Sequence, residues 1–247
     1  MQIDNIYNMD CLEGMKQILD GTIDAVICDL PYGTTGCAWD SVIPFDRLWE
    51  QYRRICKPNA AIVLFGSEPF STIQRMSNFK DYRYDWIWCK DYPVGHLNAN
   101  KMPMKQHELI SVFYNSLPTY NPQKTNIGKK VHIHRTGPSE VYNNVPPIAN
   151  KIYDGNYPTS LLHFKHDRTE DSKGIHPTQK PVDLLRYLVL TYTNEGDTVL
   201  DNCMGSGTTA IACIKERRHF IGFELKKEYF DKAVQRIKAE QAQLKLF

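Results

Sequence analysis

The sequence predicts an α/β fold in which a mainly parallel sheet carries helices on both faces. Short apolar runs at 23–28 (IDAVIC) and 60–65 (AAIVLF) have the length of buried strands. Between them, residues 44–57 place apolar side chains at helical spacing, with a proline in the first turn and Pro58 after the end. Strands separated by helices form βα units, whose strands run parallel in one sheet.

The same rhythm continues on both sides of residues 115–175. This segment is rich in Pro, Asn, Gly, Thr and Tyr and shows no long helix or strand pattern, so we expect an irregular inserted region with a functional role. Its eight Lys and Arg residues outnumber its five Asp and Glu residues. The remaining pattern predicts helices over 69–77, 182–192, 207–215 and 228–243, and strands over 84–89, 109–114, 197–200 and 219–224.

The composition is that of a globular protein and excludes the disordered and fibrous classes. Of the 247 residues, 42% are hydrophobic and 23% are charged, and the formal net charge is +2. Apolar runs are far shorter than the roughly 18 residues of a membrane span, and the N-terminus lacks the features of a secretory signal. The seven cysteines are scattered without a CxxC pair, which indicates reduced thiols in the cytoplasm rather than disulfides or a zinc knuckle.

A glycine-rich turn between a predicted strand and a predicted helix, DNCMGSGTTA at 201–210, indicates a ligand site. Gly205 and Gly207 allow a tight turn, and the first N–H groups of the helix favour an anionic group. Glu224 ends the next strand, where a carboxylate can accept hydrogen bonds from ribose hydroxyls. S-adenosylmethionine fits this set, because Asp201 can meet its ammonium group. A dinucleotide would bring a pyrophosphate close to Asp201, so a dinucleotide-dependent oxidoreductase is the less favoured alternative.

A second loop, Asp29-Leu-Pro-Tyr-Gly, directly follows the buried strand 23–28. Loops at the carboxyl ends of strands in open α/β sheets are where ligands bind. Tyr32 can stack on a flat heterocycle, while the Asp29 carboxylate and the Leu30 carbonyl, held by Pro31, can accept the two hydrogens of an exocyclic amine. These acceptors favour a tetrahedral nitrogen whose lone pair can point at a methyl sulfonium, which is catalysis by positioning.

Three motifs, taken in order, resemble those of the β-group DNA amino-methyltransferases. Asp29-Leu-Pro-Tyr32 is similar to the family's (Asn/Asp/Ser)-Pro-Pro-(Tyr/Phe) catalytic motif, and Asp201–Thr208 is similar to its Asp-x-Phe-x-Gly-Ser-Gly-Thr cofactor motif. His176-Pro-Thr-Gln-Lys-Pro181 resembles the segment that precedes the cofactor motif. The resemblance covers nearly the whole chain. It implies a circularly permuted Rossmann-like methyltransferase fold with a strand at residues 3–7 beside the Glu224 strand.

The resemblance also assigns regions and residues. Residues 1–114 correspond to the catalytic part of the methyltransferase domain, 115–175 to the target-recognition region and 176–247 to the cofactor-binding part. The implied catalytic residues are Asp29, Leu30, Pro31 and Tyr32. The implied cofactor-binding residues are Asp10, Cys11, Asp29, Thr178, Lys180, Pro181, Asp201, Cys203, Gly205, Ser206, Gly207, Thr208 and Glu224. Four further residues resemble family positions without an assigned role, namely Lys90, Asn98, His107 and Glu108.

Two departures from the family pattern affect these assignments. Leu30 replaces the first proline of the catalytic motif, which keeps the backbone carbonyl but reduces the rigidity of the loop. Asn202-Cys203 replaces the usual Pro-Phe, so the packing around the cofactor is expected to differ.

The resemblance implies a DNA methyltransferase that uses S-adenosylmethionine, without a metal, to methylate N6 of a flipped-out adenine in duplex DNA. Asp at the first motif position resembles adenine-N6 enzymes, and the alternatives are a cytosine-N4 enzyme or a catalytically silent DNA- or cofactor-binding relative. A homodimer and a cognate restriction endonuclease are compatible partners. The candidate DNA contacts are Lys124, Lys129, Lys130 and Arg135. His132, His134, His163 and His166 lack the cysteine or acidic partners of a metal site and are interpreted as surface or DNA-facing residues.

Overall fold

A computed structural model of the chain describes residues 1–33, 41–133, 151–165 and 179–244. A short 3-10 turn lies at His96–Asn98. The strands are β1 (Asn5–Tyr7), β2 (Ile23–Cys28), β3 (Cys56–Gly66), β4 (Tyr82–Val94), β5 (Lys105–Phe113), β6 (Thr125–Ile133), β7 (Lys151–Asn156), β8 (Leu161–His163), β9 (Thr198–Asp201) and β10 (His219–Phe223). The helices are α1 (Cys11–Met15), α2 (Phe45–Ile55), α3 (Phe70–Ser77), α4 (Val182–Tyr192), α5 (Thr208–Lys215) and α6 (Lys227–Leu244).

Eight strands form one sheet in the order β1-β10-β9-β2-β3-β5-β4-β8. The five strands from β1 to β3 are mutually parallel, β5 is antiparallel to both of its neighbours, and β8 runs parallel to β4. The predicted N-terminal strand is confirmed as β1, which pairs with β10 through Tyr7 and Phe223. β2 and β9 are direct neighbours, so the loops that follow Cys28 and Asp201 leave the sheet at the same edge.

Helices cover both faces of the sheet, as predicted. On one face, α1, α2 and α3 pack on inward side chains of β2, β9 and β10, and Trp49 and Tyr52 of α2 are fully buried there. On the other face, α4, α5 and α6 pack on the remaining side chains of the same strands. Trp86 and Trp88 of β4 belong to this second core, so they act as packing residues. Burial of such large side chains is the main stabilising contribution to the fold.

The inserted region is more regular than its sequence pattern indicates. The expectation of an irregular segment over 115–175 is wrong in part, because β6 and β7 pair as an antiparallel ladder and β8 joins the main sheet. The cause is that residues 125–130 of β6 are exposed and mostly polar, with Gly128 at a φ of 89°, so they carry no alternating apolar pattern. Two compact units result, one of Pro122–Thr159 and one of the residues up to Asn121 together with those from Ser160 onward. None of the helices that the model describes has the length and apolar content needed to cross a membrane.

The short helix α1 sits so close to β10 that its position requires a glycine. Asp10 caps α1 by accepting hydrogen bonds from the N–H groups of Leu12 (2.8 Å) and Glu13 (3.2 Å). One turn later, a Cβ atom on Gly14 would lie 2.2 Å from Cε1 of the Phe223 ring. This close approach holds Asp10 and Cys11 beside the carboxyl end of β10.

We therefore expect Gly14→Ala to destabilise the protein by about 1–3 kcal/mol, because the added methyl group overpacks against a fully buried ring. The matched control is Glu13→Ala in the same helix, whose side chain is 62% exposed and whose replacement should stay within about 0.5 kcal/mol. Denaturant unfolding of both variants measures the difference. A G14A protein as stable as E13A would contradict the close packing of α1 on Phe223.

Candidate active site

One cavity of about 480 Å³ lies where the carboxyl ends of β2, β9 and β10 meet. Both loops singled out in the sequence line it, so they do lie on the same side of the sheet. Pro181 and Gly207 are not among its lining residues in the described part of the chain, and Thr178 lies outside that part. The predicted residues that do line it are Asp10, Cys11, Asp29, Leu30, Pro31, Tyr32, Lys180, Asp201, Cys203, Gly205, Ser206, Thr208 and Glu224.

The glycine loop ends in a helix N-terminus without a side-chain cap. Gly207 is the N-cap residue of α5 and has a φ of 80°, a left-handed conformation that favours glycine. Its Cα faces α6, where an added Cβ would lie 3.3 Å from the Cβ of Ala233. Gly207 therefore shapes the loop from behind, while Gly205 and Ser206 face the cavity. The first N–H groups of α5 have no acceptor within the helix, so they can bind an anionic group.

Asp201, the last residue of β9, is a buried carboxylate with a fixed orientation. It is 4% exposed, accepts a hydrogen bond from the N–H of Cys203 (3.0 Å) and another from the hydroxyl of Thr209 (2.6 Å). Burial raises its pKa to about 6, although these hydrogen bonds oppose the shift. A cationic ligand group in the cavity would offset the cost of keeping this carboxylate charged.

Glu224 faces the same cavity from the end of β10. Its carboxylate accepts hydrogen bonds from the N–H groups of Gly205 (2.9 Å) and Lys226 (2.8 Å), which tie the loop after β9 to the loop after β10. Burial raises the pKa of Glu224, and the two N–H donors oppose that shift. Each carboxylate oxygen has a second lone pair, so the group can still accept hydrogen bonds from a diol.

The Asn202-Cys203 departure is accommodated by a polar contact in the core. The Asn202 side chain is buried, and its Oδ1 accepts a hydrogen bond from the hydroxyl of Tyr52 at 2.5 Å. Its Nδ2 lies 3.8 Å from Sγ of Cys11 and 3.5 Å from Sγ of Cys203. The amide thus positions both thiols at the cavity wall, in place of the packing that Pro-Phe would supply.

Asp29 has a partner on each carboxylate oxygen. Tyr32 donates its hydroxyl hydrogen to Oδ1 (2.7 Å), and Lys180 donates to Oδ2 (2.5 Å). Burial raises the pKa of Asp29, and the Lys180 ammonium opposes this shift. The Leu30 side chain is 3% exposed and packs in the core with α2, so burial restrains the loop where the family has a proline.

A row of alternating charges begins at Asp29 and continues through Lys180 and Glu108 to Lys90. Nζ of Lys180 lies 3.2 Å from Oε2 of Glu108, and Oε1 of Glu108 lies 2.5 Å from Nζ of Lys90. The Lys180, Glu108 and Lys90 side chains are 9%, 12% and 11% exposed. Lys180, which the resemblance implies as a cofactor-binding residue, contacts Asp29 in this structure. The sequence analysis assigned no role to Glu108 and Lys90. The available signal was the polar His107-Glu108 pair directly before the predicted strand 109–114.

Tyr32 is supported from behind by an aromatic ring that the sequence did not single out. The rings of Tyr32 and Phe70 are stacked with centroids 4.9 Å apart and an interplanar angle of 29°. Phe45 lies next to Phe70, with centroids 5.8 Å apart. Phe70 follows Pro69 at the start of α3. The sequence pattern at this position indicated a helix but gave no indication of a ligand site. The arrangement fixes the plane of the Tyr32 ring.

The candidate DNA-binding lysines lie in the compact unit Pro122–Thr159. Lys129 and Lys130 are exposed on β6, whereas Nζ of Lys124 lies over the Tyr157 ring at 4.4 Å. Arg135, His134 and His166 lie outside the described residues, as does the side chain of His132, and His163 is exposed on β8. Within the part that the model covers, no group of three His, Cys, Asp or Glu residues is placed to hold a metal ion.

The burial of Asp201 predicts a pH-dependent cost in stability. Between about pH 4 and pH 6 the carboxyl is ionised in the unfolded chain but protonated in the folded one, so stability falls as the pH rises through this window. We expect Asp201→Asn, which removes the charge, to be more stable than the parent by about 1–3 kcal/mol at pH 8. The gain should shrink towards zero near pH 4.

Urea unfolding at pH 4, 6 and 8 measures this difference. The control is Asp183→Asn on α4, whose side chain is 74% exposed and whose replacement should change stability by no more than about 0.5 kcal/mol. A D201N protein that is less stable than the parent at pH 8 would contradict the inference that the charge of the buried Asp201 carboxylate destabilises the folded protein.

Comparison with known proteins shows the family. A family model described as DNA methylase matches residues 23–235. The type II methyltransferase M.HpaI of Haemophilus parainfluenzae is 28% identical over 243 residues, which are 94% of this chain and 73% of that protein. The DNA adenine methyltransferase YhdJ of Escherichia coli K12 is 27% identical over 252 residues, 94% of this chain and 82% of YhdJ.

Solved structures agree. The M1.HpyAVI complex with S-adenosylmethionine superimposes with a TM-score of 0.64 at 25% identity, covering 94% of this chain and 98% of that one. The cytosine-N4-specific PvuII DNA methyltransferase gives a TM-score of 0.68 at 16% identity, over 97% of this chain and 91% of that one, and supports the fold alone. The α/β fold with its mainly parallel sheet is therefore Rossmann-like, and the chain belongs to the N6/N4 family of DNA amino-methyltransferases.

Proposed function

We propose that this DNA methyltransferase transfers a methyl group from S-adenosylmethionine to N6 of an adenine flipped out of duplex DNA. The observation that carries the proposal is the shared cavity, in which the Asp29–Tyr32 loop and the 201–208 loop face each other. The similar M1.HpyAVI was solved with S-adenosylmethionine, which supports the cofactor. The similarity to YhdJ, named as an adenine methyltransferase, and the Asp at the first motif position support adenine.

The residues around the glycine loop fit S-adenosylmethionine. Asp201 would meet the ammonium group, the N-terminus of α5 the carboxylate, and Glu224 the ribose hydroxyls. The raised pKa of the buried Asp201 carboxyl is the observation that favours a cation at this place. When bound, the cofactor supplies a methyl group activated by its positive sulfur.

Asp29 and the Leu30 carbonyl act on the amine of the base. An aryl amine is a weak nucleophile because its lone pair is delocalised into the ring. Acceptors on both of its hydrogens favour a tetrahedral nitrogen, and Tyr32, fixed by Phe70, holds the ring plane. Methylation releases one amine proton, and the Asp29 carboxylate is in place to accept it. Burial, which raises the pKa of Asp29, makes this group a better base.

The transfer is direct, without a covalent link between the protein and the base. Cys28 is the thiol next to the catalytic loop, and burial raises its pKa to about 12, so it stays protonated at neutral pH. Methyl transfer to an exocyclic amine needs no enzyme nucleophile, whereas chemistry at a ring carbon does.

Cytosine N4 is the second candidate acceptor. The amine of cytosine presents the same two hydrogens, and the PvuII enzyme, which is named as cytosine-N4-specific, has the same fold. The third candidate is a relative that binds DNA or cofactor without transferring a methyl group, since Leu30 departs from the family pattern. Nucleoside analysis of the methylated product separates these three candidates.

We expect Asp29→Ala to lower the methylation rate by at least about 100- to 1,000-fold, because the amine loses the acceptor that orients it. Methyl transfer from labelled S-adenosylmethionine to DNA, followed by mass analysis of the nucleosides, measures both rate and product. Asp183→Ala, a change at an exposed carboxylate outside the cavity, is the control and should be as active as the parent. Equal activity of D29A and the parent would contradict the catalytic assignment.

We also expect the exposed lysines of β6 to contribute to DNA affinity. If Lys129 or Lys130 contacts a phosphate, its replacement by Gln reduces the slope of log affinity against log salt by about 0.9. Because neighbouring side chains in a strand point to opposite faces, one of the two single variants should show a larger loss than the other. Fluorescence titration of a duplex at several salt concentrations measures the slope, and two variants with the parent's slope would exclude β6 from the interface.

A further inference from the structure

Lys180 is an ammonium group at the reacting edge of the cavity that the amine-positioning mechanism does not use. It lines the cavity together with Asp29 and Glu108. An ammonium group has three N–H donors. One donates to Oδ2 of Asp29 at 2.5 Å, and a second can point at Oε2 of Glu108, 3.2 Å from Nζ, which leaves the third. Lys180 therefore keeps donor capacity towards the cavity.

The surrounding charges hold this ammonium group in place. An isolated buried lysine would be neutral, because burial lowers its pKa, but the carboxylates of Asp29 and Glu108 raise the pKa of Lys180 above its ordinary value. Glu108 is anchored on its other oxygen by Lys90 at 2.5 Å. Two carboxylates and two ammonium groups thus compensate one another, and Lys180 is fixed beside Asp29 as a charged donor.

The resulting pair matches one edge of an aminated base. In adenine the carbon that carries the amine also bears N1, a ring nitrogen that can only accept a hydrogen bond, and in cytosine the same place is taken by N3. The edge therefore presents a donor beside an acceptor. Asp29 and Lys180, in direct contact, present an acceptor beside a donor. Guanine and thymine have a carbonyl beside a ring N–H and present the reverse pattern.

We propose that Lys180 donates a hydrogen bond to the ring nitrogen next to the target amine, N1 in adenine, while Asp29 accepts from the amine itself. This inference rests on the proposed function and adds a specificity-determining residue to it. The two contacts together admit adenine or cytosine and reject guanine and thymine, whose carbonyl would face the Asp29 carboxylate and whose ring N–H would face the ammonium.

The test uses the full-length protein and a duplex that contains a single target site. Methylation rates at limiting DNA are compared for adenine, 1-deazaadenine and 7-deazaadenine at the target position. We expect the 1-deaza base, which lacks N1, to be methylated about 10- to 100-fold less efficiently than adenine, and the 7-deaza base to stay within about threefold of adenine. Loss of N1 also weakens pairing and eases flipping, which alone would raise the rate.

A variant then assigns the contact to Lys180. Lys180→Met, checked for folding by circular dichroism, should methylate adenine and 1-deazaadenine with efficiencies within about threefold of each other. Lys90→Met removes the other ammonium group of the row, whose ion-pair partner among the described residues is Glu108, and should keep the discrimination. If K180M does not fold, the comparison of bases with the parent protein still decides whether N1 is read.

Three outcomes would overturn the inference. The first is that the parent protein methylates the 1-deaza site as efficiently as the adenine site. The second is that K180M folds and still discriminates against 1-deazaadenine. The third is that natural adenine and cytosine both remain unmethylated, and in that case the proposed function fails as well. If the product proves to be N4-methylcytosine, 3-deazacytosine replaces 1-deazaadenine and the same expectations apply.

Discussion

The parallel pairing of β2 with β9 is the contact on which the site depends. Ala25 lies beside Val199 and Val26 beside Leu200, so two strands that are far apart in the chain end at the same edge of the sheet. Their side chains are fully buried in the two cores, which fixes the register. A shift of β2 by one residue would turn the side chains of Val26 and Cys28 to the opposite face and would displace Asp29 relative to the glycine loop.

Charge burial is the second constraint, and the two sides of the cavity meet it differently. Asp201 is stabilised by neutral donors, an N–H and a hydroxyl, and the cost of its charge appears as a raised pKa. Asp29 instead contacts an ammonium group directly. This difference is consistent with the proposed function, in which Asp201 would receive a cation and Asp29 a neutral amine.

Local pattern predicted the sheet and the two ligand loops, because buried strands and glycine turns leave signals within a few residues. The short helix α1 was missed, although Asp10 and Glu13 have the spacing of a capping box. The β6–β7 pair was missed because its sequence lacks a sustained alternation of apolar and polar residues. The contacts of Lys180 with Asp29 and Glu108 could not be predicted, because they join residues 151 and 72 positions apart in the chain. The role of Phe70 behind Tyr32 was likewise a matter of tertiary packing.

The residues directly before and after the Pro122–Thr159 unit are held by hydrogen bonds within the other compact unit. Before it, Asn121 is held at the end of α4 by hydrogen bonds to the carbonyls of Leu190 (3.2 Å) and Thr193 (3.0 Å). After it, the Ser160 carbonyl accepts from the N–H of Ile87, and β8 continues along β4. Because the residues before and after it are held in this way, the intervening sequence can change in length and composition without disturbing the eight-stranded sheet.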